Sequence, residues 1–137
     1  MIDARTAPYA ALLLRLTLGV ALLAHGLMKI LVFTLPGTVG FFQSLGLPGF
    51  LAYLVVLVEV VAGLALILGF KTRIAALIAV PVLLGAAWVH APNGWVFSNP
   101  NGGWEFPVFW TAALLVQSLL GDGAYAVSRS SPALKTA

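Results

Sequence analysis

Four long apolar stretches alternate with more polar connections along this chain. They cover residues 9–33, 51–69, 74–91 and 104–120, and each contains few charged side chains. A helix needs roughly 20 mostly apolar residues to cross a bilayer. The pattern therefore predicts an all-α membrane protein, a four-helix bundle that forms a single domain over residues 1–137.

The connections between the stretches differ in length. The second is a tight turn, GFKT, whereas residues 34–50 and 92–103 form two longer loops. The first loop carries Phe41, Phe42, Leu45 and Leu47 between Pro36 and Pro48, which predicts a short interfacial helix, either a connector or a lid over a binding site. The second loop is rich in Gly, Pro and Asn, and Trp residues lie in or near it. These are the interfacial residues Trp88, Trp95, Trp104 and Trp110.

Composition strengthens the membrane interpretation. Hydrophobic residues make up 61% of the 137, charged residues only 8%, and the mean hydropathy is +1.06. Soluble domains carry about 25% charged residues, so this chain lacks the polar surface that water would require. The first stretch is too long for the apolar part of a signal peptide and contains Arg15, His25 and Lys29. It is expected to remain in the mature protein.

Basic residues outside the apolar stretches predict the orientation. Arg5 precedes the first stretch, Lys71 and Arg73 lie in the tight turn, and Arg129 and Lys135 follow the last stretch. Four crossings place all of these on one side, and the two long loops contain no Lys or Arg. The positive-inside rule makes that side cytoplasmic, with both termini inside. The expected location is the bacterial inner membrane.

The absence of cysteine limits the chemistry. This chain cannot form a disulfide, a thiol redox centre, a covalent c-type haem or an iron–sulfur cluster. It also has no P-loop, dinucleotide fingerprint or nucleophile motif, and no basic stripe that would indicate nucleic acid. Any electron transfer would need a bound cofactor or a partner protein.

Ionisable residues inside or at the edge of the apolar stretches are the most informative positions. Each is costly when it faces lipid, so such groups usually point inward and pair, and they often belong to proton or substrate pathways. We identify six candidate cofactor-binding residues: Arg15, His25, Lys29, Glu59, His90 and Glu105.

Helical geometry predicts where these six lie. His25 and Lys29 are one turn apart, and the rise of 1.5 Å per residue places Glu59 nearly level with His25. Together with His90 and Glu105 they form a group in the outer half of the bundle. Arg15 lies deeper toward the cytoplasm, where it can extend to the inner surface or reach Glu59.

Four interpretations of this group remain open at the level of sequence. Lys29–Glu59 and His90–Glu105 could be neutralising pairs that fix the helix register. The group could instead handle protons or a polar headgroup such as that of a quinone. A metal held by His25, His90, Glu59 and Glu105 is less favoured, because no two of them share a helix at i, i+4 spacing. A bis-His haem is the fourth interpretation.

The order of these motifs resembles the DoxX family of bacterial membrane proteins. The similar segments are RLTLGVALLAHGLMKI, FFQSLGLPGFLAYLVVLVEVVAGLALILGFKTRIAA and NGGWEFP, with His90 between the last two. The resemblance covers residues 14–122 and implies a four-helix membrane protein associated with redox systems, among them thiosulfate:quinone oxidoreductases.

The residues and the resemblance together favour a membrane subunit of an oxidoreductase that binds quinone. The first alternative is a structural or assembly protein that recruits a partner membrane complex, and the second is a small transporter. The expected partners are the lipid bilayer and other protein subunits or a second copy of the chain, and no nucleic acid.

Overall fold

The computed structural model describes residues 3–128, and these form five α-helices and no strand. The helices are α1 (Ala7–Leu31), α2 (Leu35–Ser44), α3 (Phe50–Leu68), α4 (Thr72–His90) and α5 (Glu105–Leu120), and a 3-10 turn, Ala91–Asn93, follows α4. The four predicted long helices are confirmed, with each end within two residues of its predicted position.

Within residues 3–128, three helices are long and apolar enough to cross a membrane: α1, α3 and α4 together with its 3-10 turn. Helix α5 is apolar but has only 16 residues, which span about 24 Å at 1.5 Å per residue. A bilayer core is about 30 Å thick. The chain is therefore a membrane protein with three helices of spanning length and a shorter fourth one.

The ends of the helices follow from local sequence. Helix α3 ends at Gly69, whose φ of 70° is the left-handed conformation that glycine adopts at many helix C-termini. Lys71 is also left-handed, with φ 44°, so α4 begins after a turn of three residues. The predicted short helix in the first loop is confirmed as α2. Its N-cap is Thr34, whose hydroxyl accepts a hydrogen bond from the Gly37 N–H at 3.2 Å.

The four long helices form a bundle in which α1 packs on α3, α3 on α4, α4 on α5, and α5 on α1. The core includes the fully buried residues Leu22, Leu66, Ala76 and Leu114. We call the end that carries the α3–α4 turn the turn end. The opposite end, which carries α2 and the 91–104 loop, is the loop end.

Helices α1 and α3 pack closely because glycines lie at their contact. A Cβ atom on Gly63 would lie 2.8 Å from the Leu23 backbone nitrogen and 2.9 Å from the Gly19 carbonyl oxygen. Both neighbours are backbone atoms, so neither can rotate away. Small residues allow this close approach in membranes, where helix association depends on packing.

Gly63→Ala is expected to destabilise the bundle, because the added methyl group forces α1 and α3 apart. Overpacking of this kind costs about 1–3 kcal/mol. Gly85→Ala is the matched control, since a Cβ there would contact nothing within 4 Å and alanine favours helix by about 1 kcal/mol. Unfolding by SDS titration in mixed micelles should show lower stability for Gly63→Ala and equal or higher stability for Gly85→Ala. Equal losses in both variants would contradict the glycine contact.

Candidate functional site

A buried ion pair joins α1 to α3 in the loop-end half of the bundle. The Lys29 ammonium donates to both Glu59 carboxylate oxygens, at 2.7 and 2.9 Å. The two side chains are only 19% and 7% exposed. Lys29 lies in the last turn of α1 and Glu59 in the middle of α3, so the long lysine side chain spans the difference in depth. The predicted Lys29–Glu59 pair is confirmed.

His25 lies beside this pair. Its Nδ1 is 2.8 Å from the Ala21 carbonyl oxygen, and because a carbonyl only accepts, Nδ1 carries a proton. In the neutral ring Nε2 is then a hydrogen-bond acceptor. An electrostatic interaction links His25 to Glu59. Gly26 allows this closeness, since a Cβ there would lie 3.1 Å from the Glu59 Cβ. His25 and Glu59 are thus nearly level, as helical geometry predicted.

Trp110 completes the cluster from α5. Its ring centroid is 5.0 Å from that of His25, in an edge-on arrangement. Trp110 is 5% exposed, and its Nε1 donor has no hydrogen-bond partner within the protein. The prediction grouped it with the interfacial tryptophans, and the structure adds that Trp110 is buried in the core, whereas Trp88 is 62% exposed. We call His25, Lys29, Glu59 and Trp110 the loop-end cluster.

An apolar groove of about 240 Å³ lies between α1, α2 and α3 near this cluster. Two of its walls adjoin the ion pair in sequence, since Ile30 follows Lys29 and Val60 follows Glu59. The groove is lined by Ile30, Leu35, Tyr53, Val56, Leu57 and Val60. It is open to the outside of the bundle, where lipid chains lie, so a hydrocarbon chain fits its chemistry.

His90 and Glu105 make separate contacts at the loop end, so their predicted pairing is wrong. The His90 Nδ1 is 2.7 Å from the Ala86 carbonyl oxygen. The Glu105 carboxylate accepts the Phe97 N–H at 2.9 Å. The 91–104 loop folds back over the start of α5 and supplies this donor. Within residues 3–128, no three His, Asp or Glu side chains lie close enough to hold a metal ion.

Arg15 lies at the turn end, away from the loop-end cluster. Its guanidinium donates to the carbonyls of Leu66 at 3.0 Å, Ile67 at 2.7 Å and Ala124 at 2.8 Å. The first two belong to the last turn of α3, where the Leu66 carbonyl also accepts the Gly69 N–H at 3.2 Å. Arg15 is 1% exposed. Both predictions for the Arg15 side chain are therefore wrong, because it is buried and does not extend to the surface, and because it bonds to backbone carbonyls and does not reach Glu59. Whether Arg15, His90 or Glu105 contacts a ligand stays a prediction.

Sequence reasoning missed a second set of polar contacts around Arg15. The Asp122 carboxylate accepts the Thr72 N–H at the start of α4, at 3.2 Å. Arg73 donates to the Ser118 carbonyl near the end of α5, at 3.1 Å. An electrostatic interaction links Arg15 to Asp122. We call Arg15, Thr72, Arg73, Gln117 and Asp122 the turn-end network. The signal that could have revealed it is Asp122 between two glycines, directly after an apolar helix.

The comparisons with known proteins agree with a membrane protein of one family. The sequence model of the DoxX family matches residues 10–92. The chain is 39% identical over 75 residues to a Bacillus subtilis (strain 168) protein named "Putative oxidoreductase CatD", covering 55% of this chain and 54% of that relative. It is 33% identical over 95 residues to the Escherichia coli (strain K12) protein named "Inner membrane protein YqjF", covering 68% and 71%. The chain thus spans about half of the first relative. No solved structure matches it.

Proposed function

The chain belongs to the DoxX family, and we propose that it is a membrane subunit of an oxidoreductase system that binds a quinone, or a similar small redox molecule, at the loop-end cluster. The name of the Bacillus subtilis relative supports the class of reaction. The observation that carries the proposal is the buried Trp110 donor without a protein partner, next to His25 and a buried ion pair.

The proposed topology has four crossings, with both termini on the cytoplasmic side of the bacterial inner membrane. Arg5 lies before α1, and Lys71 and Arg73 lie at the start of α4, so the described basic residues outside the helix interiors gather at the turn end. The positive-inside rule then makes the turn end cytoplasmic. Two further basic residues used for the prediction, Arg129 and Lys135, lie outside the described residues. The loop-end cluster would lie in the outer half of the membrane.

The residues of the loop-end cluster fit a quinone headgroup. A quinone carbonyl needs hydrogen-bond donors, and the Trp110 Nε1–H and the Lys29 ammonium are donors buried in the bundle. The neutral His25 ring offers Nε2 as a proton acceptor or, when protonated, as a donor. A bound quinone would supply two-electron chemistry coupled to protons. The apolar groove beside the cluster would hold the hydrocarbon part of the molecule.

Trp110→Phe is expected to weaken quinone binding about tenfold, because it removes the Nε1 donor and keeps an aromatic ring in the core. One hydrogen bond in a buried site is worth roughly 1.5 kcal/mol, and each 1.4 kcal/mol is a factor of about ten. Trp88→Phe is the matched control, since Trp88 is exposed on α4. The measurement is equilibrium binding of a tritiated short-chain ubiquinone to protein in nanodiscs, with the melting temperature recorded for each variant.

Unchanged affinity in Trp110→Phe, in a protein that binds the probe, would contradict the assignment of Trp110 as a ligand donor. No binding by the wild-type protein, together with no quinone in extracts of protein purified from its native membrane, would contradict the proposed function itself.

A structural or assembly role is the second candidate, and one observation favours it. The Lys29–Glu59 pair is closed on itself, with the ammonium bonded to both carboxylate oxygens. Such a pair can fix the register of two helices without any ligand. The transporter alternative is less favoured for a single copy of the chain. The interior of the bundle contains the fully buried side chains of Leu22, Leu66 and Leu114, which belong to one apolar core cluster.

A further inference from the structure

Three consecutive apolar side chains are exposed at the loop end of the bundle. They belong to Trp95, Val96 and Phe97 of the 91–104 loop and are 52%, 43% and 67% exposed. We call these three residues the apolar tip. Residues 91–104 include no charged side chain. Exposed apolar patches mark surfaces that bind another protein or a membrane.

Backbone hydrogen bonds hold the apolar tip against the start of α5. The Trp104 N–H donates to the Gly94 carbonyl at 3.1 Å. The Glu105 N–H donates to the Trp95 carbonyl, also at 3.1 Å. The Glu105 carboxylate in turn accepts the Phe97 N–H at 2.9 Å. The three apolar side chains are therefore presented by a folded loop with a defined position on the bundle.

Two further contacts define the shape of this loop. A Cβ atom on Gly103 would overlap the carbonyl oxygens of Trp95 and Val96, so the backbone there approaches more closely than any other residue allows. The Asn99 side-chain amide donates to the Asn93 carbonyl at 2.9 Å. The polar side chains of the loop thus bond to its own backbone, while the apolar tip is exposed.

The hydrogen bonds of the loop favour lipid as the partner of the apolar tip. Three successive carbonyls, those of Gly94, Trp95 and Val96, each accept a backbone N–H from within the loop or from the start of α5. On a surface loop in water, solvent can satisfy such carbonyls. Backbone groups at membrane depth need partners within the protein, since hydrocarbon supplies none.

The position of the apolar tip also favours lipid. The neighbouring surface of α5 is apolar, since Phe106 is 51% and Phe109 is 72% exposed. In the proposed topology α5 crosses the membrane, yet its 16 residues span about 24 Å against a hydrocarbon core of about 30 Å. Because the apolar tip lies beside the first residue of α5, it adds apolar surface at one end of this short helix.

We propose that the apolar tip inserts into the bilayer at the loop end, with Trp95 among the headgroups and Phe97 at the boundary of the hydrocarbon core. Tryptophan suits the headgroup region because its ring is apolar and its N–H is polar. The 91–104 loop is then a lipid-binding surface that completes the crossing of α5. This inference rests on the proposed topology and is independent of quinone binding.

The depth of a nitroxide spin label tests the insertion. The chain contains no cysteine, so Phe97→Cys creates a single labelling site in the full protein. In liposomes of dioleoylphosphatidylcholine, oxygen concentrates in the hydrocarbon and a nickel chelate stays in water. The ratio of oxygen to nickel collisions should be several-fold higher for Phe97→Cys than for Asn101→Cys, which labels an exposed polar position of the same loop. It should approach the ratio for Phe109→Cys on α5.

The two control positions separate the possible failures. A ratio for Phe97→Cys equal to that for Asn101→Cys would overturn the insertion. A label at position 97 that neither reagent reaches would also overturn it, because a second copy of the chain would then cover the apolar tip. A water-exposed label in Phe109→Cys would overturn the proposed crossing of α5, and the insertion with it.

An experiment without a label removes any effect of the nitroxide itself. Lipids brominated along their acyl chains quench the fluorescence of tryptophans that they contact. Phe97→Asp adds a charge to the apolar tip, which should withdraw the loop from the hydrocarbon and reduce this quenching. Asn101→Asp is the matched control, since it adds the same charge at an exposed polar position and should leave the quenching unchanged. Equal quenching of the wild type and Phe97→Asp, with the same helix content by circular dichroism, would contradict the insertion.

Discussion

Glu59→Gln is expected to destabilise the protein by about 3 kcal/mol, one of the largest effects of any single substitution. It leaves the Lys29 ammonium buried between α1 and α3 without its carboxylate partner. Removing one member of a buried ion pair costs about 3–5 kcal/mol. The lower end of that range applies here, because Lys29 is in the last turn of α1 and can extend toward the loop end.

A double-mutant cycle separates the ion pair from other effects of the substitution. Lys29→Met/Glu59→Gln carries no buried charge at this position and should recover most of the stability lost in Glu59→Gln. Glu105→Gln is the matched control, since a glutamine oxygen can still accept the Phe97 N–H, and its effect should stay within about 0.5 kcal/mol. SDS titration in mixed micelles measures the wild type, Glu59→Gln, Lys29→Met, the double variant and Glu105→Gln. Additive losses from the Lys29 and Glu59 substitutions would show that the pair is not coupled.

The same double variant also separates two roles of the ion pair in a protein that binds quinone. If the pair only fixes helix register, the recovered protein should bind the short-chain quinone as the wild type does. If the pair belongs to a ligand site, stability returns and binding does not. Stability and binding are thus measured on the same variant. Because its stability is recovered, a loss of binding cannot be caused by a loss of folding.

The sequence predicted the elements well because each depends on local rules. Apolar length predicts α1, α3, α4 and α5, and the prolines at positions 36 and 48 predict a short helix between them. The Lys29–Glu59 pair was also predictable, since both charges lie inside apolar helices and a lysine side chain is long enough to span their difference in depth. In lipid, an isolated charge has few alternatives to its nearest partner.

The side of each helix that faces the interior could not be predicted from the same pattern. In water, apolar residues mark the core, but in a membrane both the core and the outer surface are apolar. Phe109 and Trp110 are neighbours in sequence and similar in chemistry, yet Phe109 is 72% exposed and Trp110 lies in the core. Trp110 was therefore missed as a member of the loop-end cluster.

The partners of Arg15 were missed for a different reason, because they are backbone carbonyls, which leave no trace in the composition. Its position follows once the register of α1 against α3 is known. Gly26 lies against Val60 and Gly19 against Gly63, so the antiparallel alignment continues to Arg15 opposite the last turn of α3. A single confirmed contact between these helices would have been enough to predict it.

Arg15→Leu is expected to destabilise the bundle by about 3–5 kcal/mol. The guanidinium makes three hydrogen bonds to carbonyls, and bonds from charged groups are worth about 1.5–3 kcal/mol each. Its loss leaves the carbonyls of Leu66 and Ile67 without these bonds at the end of α3 and releases the Ala124 carbonyl in the chain after α5. Arg15→Lys should recover only part of the loss, because one ammonium group cannot reproduce the guanidinium fork.

Arg73→Leu is the matched control for Arg15→Leu. Arg73 makes one side-chain hydrogen bond, to the Ser118 carbonyl, from a more exposed position, so its loss should cost about 1 kcal/mol. Limited proteolysis adds a local readout, since Arg15→Leu should make the chain near Ala124 easier to cleave and Arg73→Leu should not. Equal losses of stability in the two variants would contradict the prediction, because the burial of Arg15 and its three carbonyl bonds would then add nothing to the stability of the bundle. The backbone bonds from Val127 to Leu68 and from Ser128 to Gly69 would then be what holds the chain after α5 against the end of α3.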